Sequence, residues 1–380
     1  MTADSSNRGR RGTGDAGTGG EEMAGSPAPQ RPVHERRVPE RPGPERRVPE
    51  QCVPEQCVDV VLLSLNRVED TLAAIDSVLR QQRVAVRICI LDQGSRDPRL
   101  AELNRRAAQD GRIRIKYLSA NVGAAAGRNM AAALGDAPYL VCIDNDAELR
   151  DPDALARICD HFERNPGVGA LSFRILNKAS GRDDLTTWDH PRALLAQADT
   201  SFAAARFSAC GYAMRRALHE QVGGYDADFF FGVEEIDLAY RMLATGATIL
   251  YVPDVVVLHK SSPEMRVTWK GRRYYYIVRN SLYFQFKFGT PLPRLALSAL
   301  AWMVKGGFNG LGIAPVRAVL DALRMSLRHG FRRRGRGPYH LSPPVRAYIE
   351  ACEMRAKEDF VTKVRKQFVK LGGHSVSTSN

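Results

Sequence analysis

The chain has 380 residues, of which 44% are hydrophobic and 26% are charged, and its formal net charge is +13. This apolar content can bury one large core or two modest ones, so a chain that is disordered throughout is excluded. Its seven cysteines include no CxxC pair and have no histidine partners at zinc-finger spacing. That pattern argues against a structural zinc module and favours core cysteines in a reducing, cytoplasmic compartment.

Residues 1–57 are predicted to be a disordered leader. They contain Gly-, Ser- and Thr-rich sequence and then a degenerate repeat in which Val-Pro-Glu or Gly-Pro-Glu returns every five or six residues. Such a tract is rich in proline, glutamate and arginine and offers little apolar surface to bury, so we expect it to be solvated and extended. It has no long apolar segment, and a secretory signal is therefore not expected.

Residues 58–144 alternate between apolar runs typical of buried strands and stretches with helical spacing. The predicted elements are strands at 58–65, 86–92, 113–119 and 139–144, with helices at 69–82, 98–109 and 122–135 between them. This alternation predicts an α/β domain with a parallel sheet covered on both faces. Ligands of such sheets bind beyond the carboxyl ends of the strands. The polar residues predicted at those ends are Asn66, Asp92, Asn121 and Asp144.

Two carboxylates stand one residue apart at the end of the fourth predicted strand. In an extended segment, residues two apart point the same way, so Asp144 and Asp146 can present both carboxylates to one cation. Hard oxygen ligands favour Mg²⁺ or Mn²⁺, which usually completes its shell with water and substrate phosphates. The alternative is an Asx turn that leads into a helix beginning near Asp151.

Most of the excess positive charge lies in one C-terminal segment. Between Lys287 and His340 there are ten basic residues against Asp321 alone, which gives +9 of the +13. Within its apolar stretch 295–314 the longest uncharged run, 295–304, has about ten residues, whereas a membrane span needs about 20. We therefore expect helices lying on an anionic membrane surface, which would place the protein at the inner membrane face. The alternative is a packed helical subdomain with a solvated basic face; nucleic-acid binding is not expected, because aromatic residues are not interleaved with the basic ones.

Five segments occur together in one order: "VDVVLLSLNR", "ICILDQGSRD", "NVGAAAGRNMAAAL", "YLVCIDNDAEL" and "GGYDADFFFGVEEIDLAYR". In this order and spacing the chain resembles family 2 glycosyltransferases of the GT-A fold, most closely the bacterial rhamnosyltransferase-like branch. The resemblance covers residues 58–290. It implies a Rossmann-like, mostly parallel sheet with helices on both faces, followed by a basic, mainly helical C-terminal extension at 291–380.

The resemblance implies a nucleotide-diphosphate sugar as donor. It assigns the nucleotide site to Asn66, Arg67, Asp92, Gly94, Asn121, Gly123, Arg128, Asn129 and Asp144. In this assignment Asp92 accepts a hydrogen bond from the base and Gly94 permits a tight turn. Asp144 and Asp146 match the family's Asp-x-Asp metal motif and would bridge Mg²⁺ or Mn²⁺ to the diphosphate. His259 would lie near the metal, although a lone histidine at a strand end is also commonly a satisfied core or surface residue.

The resemblance also implies a catalytic base within "FFFGVEEIDLAYR". The family usually shows Glu-Asp at this point and assigns the base to the second position, which is Glu235 here, with Glu234 as the rival. Adjacent carboxylates repel, so one of them should bind protons more tightly. Asp237 and Arg241 are four residues apart and could form only an ion pair. The implied reaction is inverting transfer to a hydroxyl of a glycan, lipid-linked or secondary-metabolite acceptor.

Other classes of protein fit the sequence less well. A dinucleotide-dependent dehydrogenase needs Gly-x-Gly-x-x-Gly after its first strand, and a sugar nucleotidyltransferase needs an early Gly-rich phosphate loop; neither occurs at 64–71. A non-catalytic nucleotide-sugar-binding or scaffold protein stays open, because Glu-Glu replaces the family's Glu-Asp.

Overall fold

The first half of the domain alternates strands and helices as predicted. The computed structural model describes residues 57–261 and 272–353. The first seven elements are β1 (Cys57–Ser64), α1 (Val68–Leu79), β2 (Ala85–Asp92), α2 (Leu100–Gln109), β3 (Ile113–Tyr117), α3 (Ala124–Ala132) and β4 (Tyr139–Ile143). Each begins and ends within three residues of its predicted bounds. The predicted leader lies outside the described residues except for Cys57.

The second half of the described domain adds five strands, of which the sequence predicted only the last, which ends at His259. Its elements are β5 (Ala147–Leu149), α4 (Ala154–Arg164), β6 (Val168–Asn177), β7 (Phe202–Ala204), β8 (Gly211–Arg215), α5 (Arg216–Gln221), α6 (Glu234–Ala244) and β9 (Thr248–His259). Four helices follow: α7 (Tyr274–Lys287), α8 (Leu292–Phe308), α9 (Ala314–His329) and α10 (Pro343–Cys352).

The strands in the described residues form one mixed sheet in the order β3-β2-β1-β4-β8-β6-β9-β5, and β7 also pairs with β9. Six of its nine strands run in one direction, and β5, β7 and β8 run against them. The expected mostly parallel sheet is therefore confirmed. The carboxyl ends of β1, β2, β4 and β9 consequently meet at one edge, where the predicted site residues follow them.

Helices cover both faces of this sheet. Alternate residues of β1 point to opposite sides, so Val60 belongs to one core cluster with Ile75 of α1, while Val61 belongs to the other with Leu238 of α6. Every residue of β4 is buried, as expected for a central strand covered on both faces. The edge strand β3 instead exposes polar side chains, among them Lys116, which protect the edge from pairing.

The C-terminal helices pack against one another through an apolar cluster. Tyr274, Val278 and Leu282 of α7 are buried against Ala318 and Ala322 of α9. Among the described helices, none is long and apolar enough to cross a bilayer.

Lys287, one of the ten basic residues counted between Lys287 and His340, does not lie on the surface. It ends α7 fully buried, and its Nζ lies 2.6 Å from an oxygen of Asp226 and 2.7 Å from one of Asp237. The charge of Lys287 is therefore paired inside the protein. Asp237 also accepts from Nε of Arg241 at 2.8 Å, which confirms the predicted ion pair four residues apart.

Candidate active site

The two carboxylates that follow β4 lie at the edge where the parallel strands end. Asp146 pairs with the guanidinium of Arg67, which follows β1. Nε2 of His259, the last residue of β9, lies 3.6 Å from the Asp146 carboxylate. This approach follows from the pairing of β5 with β9, in which Ala147 lies opposite His259. Three residues predicted from distant parts of the sequence are thus brought together.

Asp184 holds the other nitrogen of His259. Its Oδ2 lies 2.6 Å from Nδ1 of His259 and accepts a hydrogen bond from the Ser261 hydroxyl at 2.9 Å. The carboxylate is almost fully buried, and the backbone of Asp184 is fixed by a hydrogen bond to the carbonyl of Ile175 in β6. Since an ionised carboxylate only accepts, Nδ1 donates and Nε2 faces Asp146. Sequence reasoning missed Asp184, because no local spacing connects it with a histidine 75 residues away.

The charges around His259 determine its protonation. Burial alone would lower its pKa, but Asp146 and Asp184 outweigh burial and raise the pKa to about 9. The same contacts hold the pKa of Asp146 and Asp184 below the usual range, against the effect of their burial. In this arrangement an imidazolium lies between two carboxylates.

Asp144 faces a different partner. One of its oxygens lies 3.4 Å from Nη2 of Arg128, which projects from α3. Although 40% of its side chain is accessible to solvent, it lies deep among protein groups, and this desolvation raises its pKa to about 6. Asp146 adds to the increase and Arg128 opposes it. Asp144 is thus the more accessible of the two carboxylates and the weaker acid.

Arg128 also reaches the predicted catalytic base. Its Nη1 donates to Oε1 of Glu235, in the first turn of α6. The guanidinium is buried and lies 5.9 Å and 5.8 Å from the ring centres of Tyr212 and Tyr225. Arg128 was predicted to flank the nucleotide; the structure places it between the Asp-x-Asp segment and the glutamate pair.

The two glutamates differ in their surroundings. Glu234 is 2% exposed, and within the described parts of the chain its Oε2 has no hydrogen-bond partner. Burial and the neighbouring Glu235 raise the pKa of Glu234 to about 8, so it is protonated at neutral pH. Glu235 is 8% exposed, and its Oε1 accepts a hydrogen bond from Nη1 of Arg128, whereas Oε1 of Glu234 lies 3.7 Å from the same nitrogen. The environment therefore favours Glu235 over Glu234 as the proton acceptor.

The loop before the glutamates is held in an unusual conformation. Val233 has a φ of 77°, in the left-handed region that β-branched residues rarely adopt. From α7, the buried amide of Asn280 lies 2.6 Å to 2.9 Å from the carbonyl oxygens of Phe229, Phe231 and Gly232. Asn280 was not singled out from the sequence, yet it fixes the segment that delivers Glu234 and Glu235.

The same loop contacts the start of α3. The amide of Ala124 donates to the carbonyl of Phe230 at 2.6 Å. A Cβ on the preceding Gly123 would clash with that oxygen, and φ there is +88°. Gly123 therefore permits a close approach of the two backbone segments. The side-chain oxygen of Asn121 accepts a hydrogen bond from the Gly123 amide at 2.7 Å and so caps this turn.

The remaining predicted nucleotide residues build the loops after β1 and β2. Asp92 accepts from the amides of Gly94 and Ser95 at 3.1 Å and 2.9 Å, and Gly94 has the positive φ that the tight turn requires. Asn66 accepts from the amide of Arg96 at 2.6 Å and so ties the two loops together. The carboxylate of Asp92 thus accepts hydrogen bonds from backbone amides of the turn that follows it. The hydrogen bond from Asp92 to a base stays a prediction.

Asn129 contacts the backbone on the other side of α3. Its side-chain amide donates to the carbonyl of Tyr225 at 2.7 Å and accepts from the Tyr225 amide at 2.8 Å. Both polar atoms are occupied, so Asn129 joins α3 to the segment before α6.

Ligands of open α/β sheets bind beyond the carboxyl ends of the strands, which is where these acidic groups lie. Residues 59–223 match the family described as Glycosyl transferase family 2. Over these residues the chain resembles a glycosyltransferase of family 2, and the predicted α/β fold, a mostly parallel sheet with helices on both faces, is confirmed. The rhamnosyltransferase-like branch remains a prediction.

Curated proteins with similar sequences include a pre-mycofactocin glycosyltransferase of Mycobacterium tuberculosis, 24% identical over 200 residues, or 50% of this chain. An uncharacterised protein of Sinorhizobium fredii is 32% identical over 93 residues, or 24% of the chain. The matches span 41% and 10% of these two relatives, respectively.

A solved structure with a similar fold is that of a mannosyltransferase from Pyrobaculum calidifontis in complex with GDP-Man and Mn²⁺. It is 18% identical, with a TM-score of 0.49, and the alignment covers 82% of this chain and 86% of that chain.

Proposed function

We propose that the protein transfers a sugar from a nucleotide-diphosphate sugar to a hydroxyl of a glycan, lipid-linked or small-molecule acceptor, with inversion at the anomeric carbon. The observation that carries the proposal is the position of Arg128. It contacts both Asp144 and Glu235, so the group proposed to face the donor diphosphate and the group proposed to activate the acceptor are separated by one side chain.

The residues at the strand edge fit a divalent cation. No group of three side chains placed to hold one metal ion occurs in 57–261 or 272–353, and Asp146 is paired with Arg67. The donor set is nevertheless suitable: Asp144 and Asp146 offer hard oxygens for Mg²⁺ or Mn²⁺, and Nε2 of His259 would offer a nitrogen once the imidazolium has released the proton that it carries there. Asp184 binds the opposite nitrogen, the arrangement typical of metal-binding histidines. A bound cation would neutralise the charge that develops on the departing diphosphate.

The protein side chains would then perform a single displacement. Glu235 accepts the proton of the acceptor hydroxyl as its oxygen forms the new bond to the anomeric carbon. The bond from that carbon to the donor phosphate breaks, and its electron pair leaves with the nucleoside diphosphate. Glu234, protonated at neutral pH, does not compete for this proton. Attack from the side opposite the leaving group gives inversion.

A panel of nucleotide-diphosphate sugars tests this proposal. We expect at least one to raise the melting temperature of the purified chain with Mn²⁺ or Mg²⁺, since ligands that bind the native state stabilise it. The same sugar should be hydrolysed slowly, and Asp146→Ala should lose both effects while remaining folded. Stabilisation without nucleotide release, with and without candidate acceptors, would instead identify a nucleotide-sugar-binding scaffold.

A further inference from the structure

The exposed apolar side chains of the described residues are concentrated on the C-terminal helices. Apart from Tyr117 and Leu185, every large hydrophobic residue that is exposed lies between 292 and 331. They are Leu292, Leu297, Leu300, Met303, Val304, Phe308, Ile313, Val316, Leu320, Leu323, Leu327 and Phe331. Contiguous apolar patches of this kind mark interaction sites.

These side chains form a stripe on each of two helices. On α9 the exposed residues recur at a spacing of four, three and four: Val316, Leu320, Leu323 and Leu327. On α8 they recur at three, four and four: Leu297, Leu300, Val304 and Phe308. The opposite sides of both helices pack in the apolar cluster with α7. The two stripes consequently face away from α7, and we name them together the outer face.

Positive charge runs beside the outer face. Each of three arginines directly follows a residue of the α9 stripe. These arginines, Arg317, Arg324 and Arg328, therefore form a row along one flank of the helix. The side chains of Arg317 and Arg324 are 74% and 71% exposed. The acidic residue on this helix, Asp321, is only 21% exposed and lies 2.6 Å from Arg324.

Arg334 does not belong to this charged surface. It donates to the carbonyl of Thr290 and lies 5.5 Å from the ring centre of Phe286. Lys287 is buried and does not belong to it either. The exposed basic residues that follow the end of α9 include Arg332, Arg333 and Arg336.

We propose that the outer face docks on a bilayer that contains anionic lipids. Leucine side chains would enter the headgroup boundary, and arginines beside them would pair with lipid phosphates. A second copy of the chain fits less well, because α9 of its outer face offers these arginines only Asp321, which is 21% exposed and already paired with Arg324. The helices have 17 and 16 residues and lie along the surface in this proposal. This docking proposal does not depend on the proposed sugar-transfer reaction.

Vesicle co-sedimentation of the full chain tests the docking. We expect binding to vesicles of phosphatidylcholine with phosphatidylglycerol at low salt, loss of binding at high salt, and poor binding to phosphatidylcholine alone. The triple variant Arg317→Gln, Arg324→Gln, Arg328→Gln should bind about 100-fold more weakly. Its matched control replaces three exposed arginines elsewhere, Arg105, Arg182 and Arg192, with Gln and should bind nearly as well as the wild type.

A second pair of variants tests the apolar stripe. Leu320→Ser, Leu323→Ser, Leu327→Ser should lose most vesicle binding, whereas Tyr117→Ser, Leu185→Ser, which alters exposed apolar residues elsewhere, should retain it. All the replaced residues are exposed, and circular dichroism checks that each variant is folded. Equal binding to both kinds of vesicle, or binding to neither, would overturn the proposal. A dimer that the leucine substitutions dissociate, without vesicle binding, would assign the face to a second copy.

Discussion

At the scale of single residues, the side chains next to the candidate ligands and base determine what those residues can do. Asp184 fixes which nitrogen of His259 faces Asp146, and Arg128 places a positive charge between Asp144 and Glu235. Each residue acts by restricting its neighbour to one orientation or one charge state. Their effects should therefore appear in metal affinity or in turnover before they appear in the fold.

Asp184→Asn should weaken Mn²⁺ binding by about tenfold, because loss of the carboxylate charge makes His259 a poorer ligand. The measurement is a Mn²⁺ titration followed by calorimetry or electron paramagnetic resonance, without nucleotide sugar. Asp183→Asn is the matched control, since Asp183 pairs with Arg174 and does not contact His259. If both variants bind Mn²⁺ as tightly as the wild type, Asp184 has no positioning role.

Glu235→Gln should lower turnover by roughly 10² to 10⁴ while donor affinity changes little, because glutamine keeps the shape but cannot accept the proton. Donor binding is measured by calorimetry and turnover by nucleotide release in the presence of acceptor. Glu234→Gln should retain much more activity, since Glu234 is already protonated near neutral pH. The opposite ranking of the two variants would transfer the role of base to Glu234.

At the scale of elements, the sequence predicts what depends on local pattern. The apolar runs of β1 to β4 and the helices between them were predicted, because a strand buried on both faces must be apolar along its length. The antiparallel strand β8, which lies between β4 and β6, was not predicted. Its five residues carry no alternation that separates a strand from any short apolar run.

Some residues of the candidate site could likewise be predicted from the sequence, and others could not. Asp144 and Asp146 were predicted from their spacing at a strand end, and Glu235 and His259 from the resemblance to family 2 glycosyltransferases. Asp184 and Asn280 were missed because their contacts join segments 75 and about 50 residues apart in the chain. Such contacts follow from the tertiary fold, which single-sequence periodicity does not encode.

The contact between α7 and the loop before α6 gives a prediction at this scale. Asn280→Ala should lower the free energy of unfolding by about 1 to 3 kcal/mol, because it leaves buried carbonyl groups of that loop without a donor. It should also lower turnover, since the loop positions Glu235. Urea unfolding and nucleotide release measure the two effects. Gln285→Ala, a change on the same helix that removes only a contact with Ser298, should alter both far less.

At the scale of the whole molecule, buried charge in the domain contrasts with exposed charge on the C-terminal helices. Lys287 and Arg241 are fully or almost fully buried, and each is paired with the buried Asp237; buried pairs of this kind resist salt. The arginines of α9 are exposed, and salt screens them. High ionic strength should therefore affect docking much more than folding.

The pH dependence of stability should report the buried glutamate pair. The pKa of Glu234 in the folded protein is raised to about 8, above its value in the unfolded chain. Between the two pKa values the folded state binds more protons than the unfolded state, so this group makes the protein less stable as the pH rises from about 4.5 to about 8. The loss is complete above the higher pKa, where Glu234 must carry its charge while buried.

Glu234→Gln should remove this contribution, because glutamine has a similar shape and no charge to desolvate. We expect the variant and the wild type to differ least in unfolding free energy near pH 5, and the variant to gain relative stability at pH 7 and again at pH 9. Urea unfolding at the three pH values measures the difference. Glu220→Gln, at an exposed position on α5, is the control and should show no such trend. A constant difference across this range would mean that Glu234 is ionised in the folded protein, and Glu235 would then lose its advantage as the base.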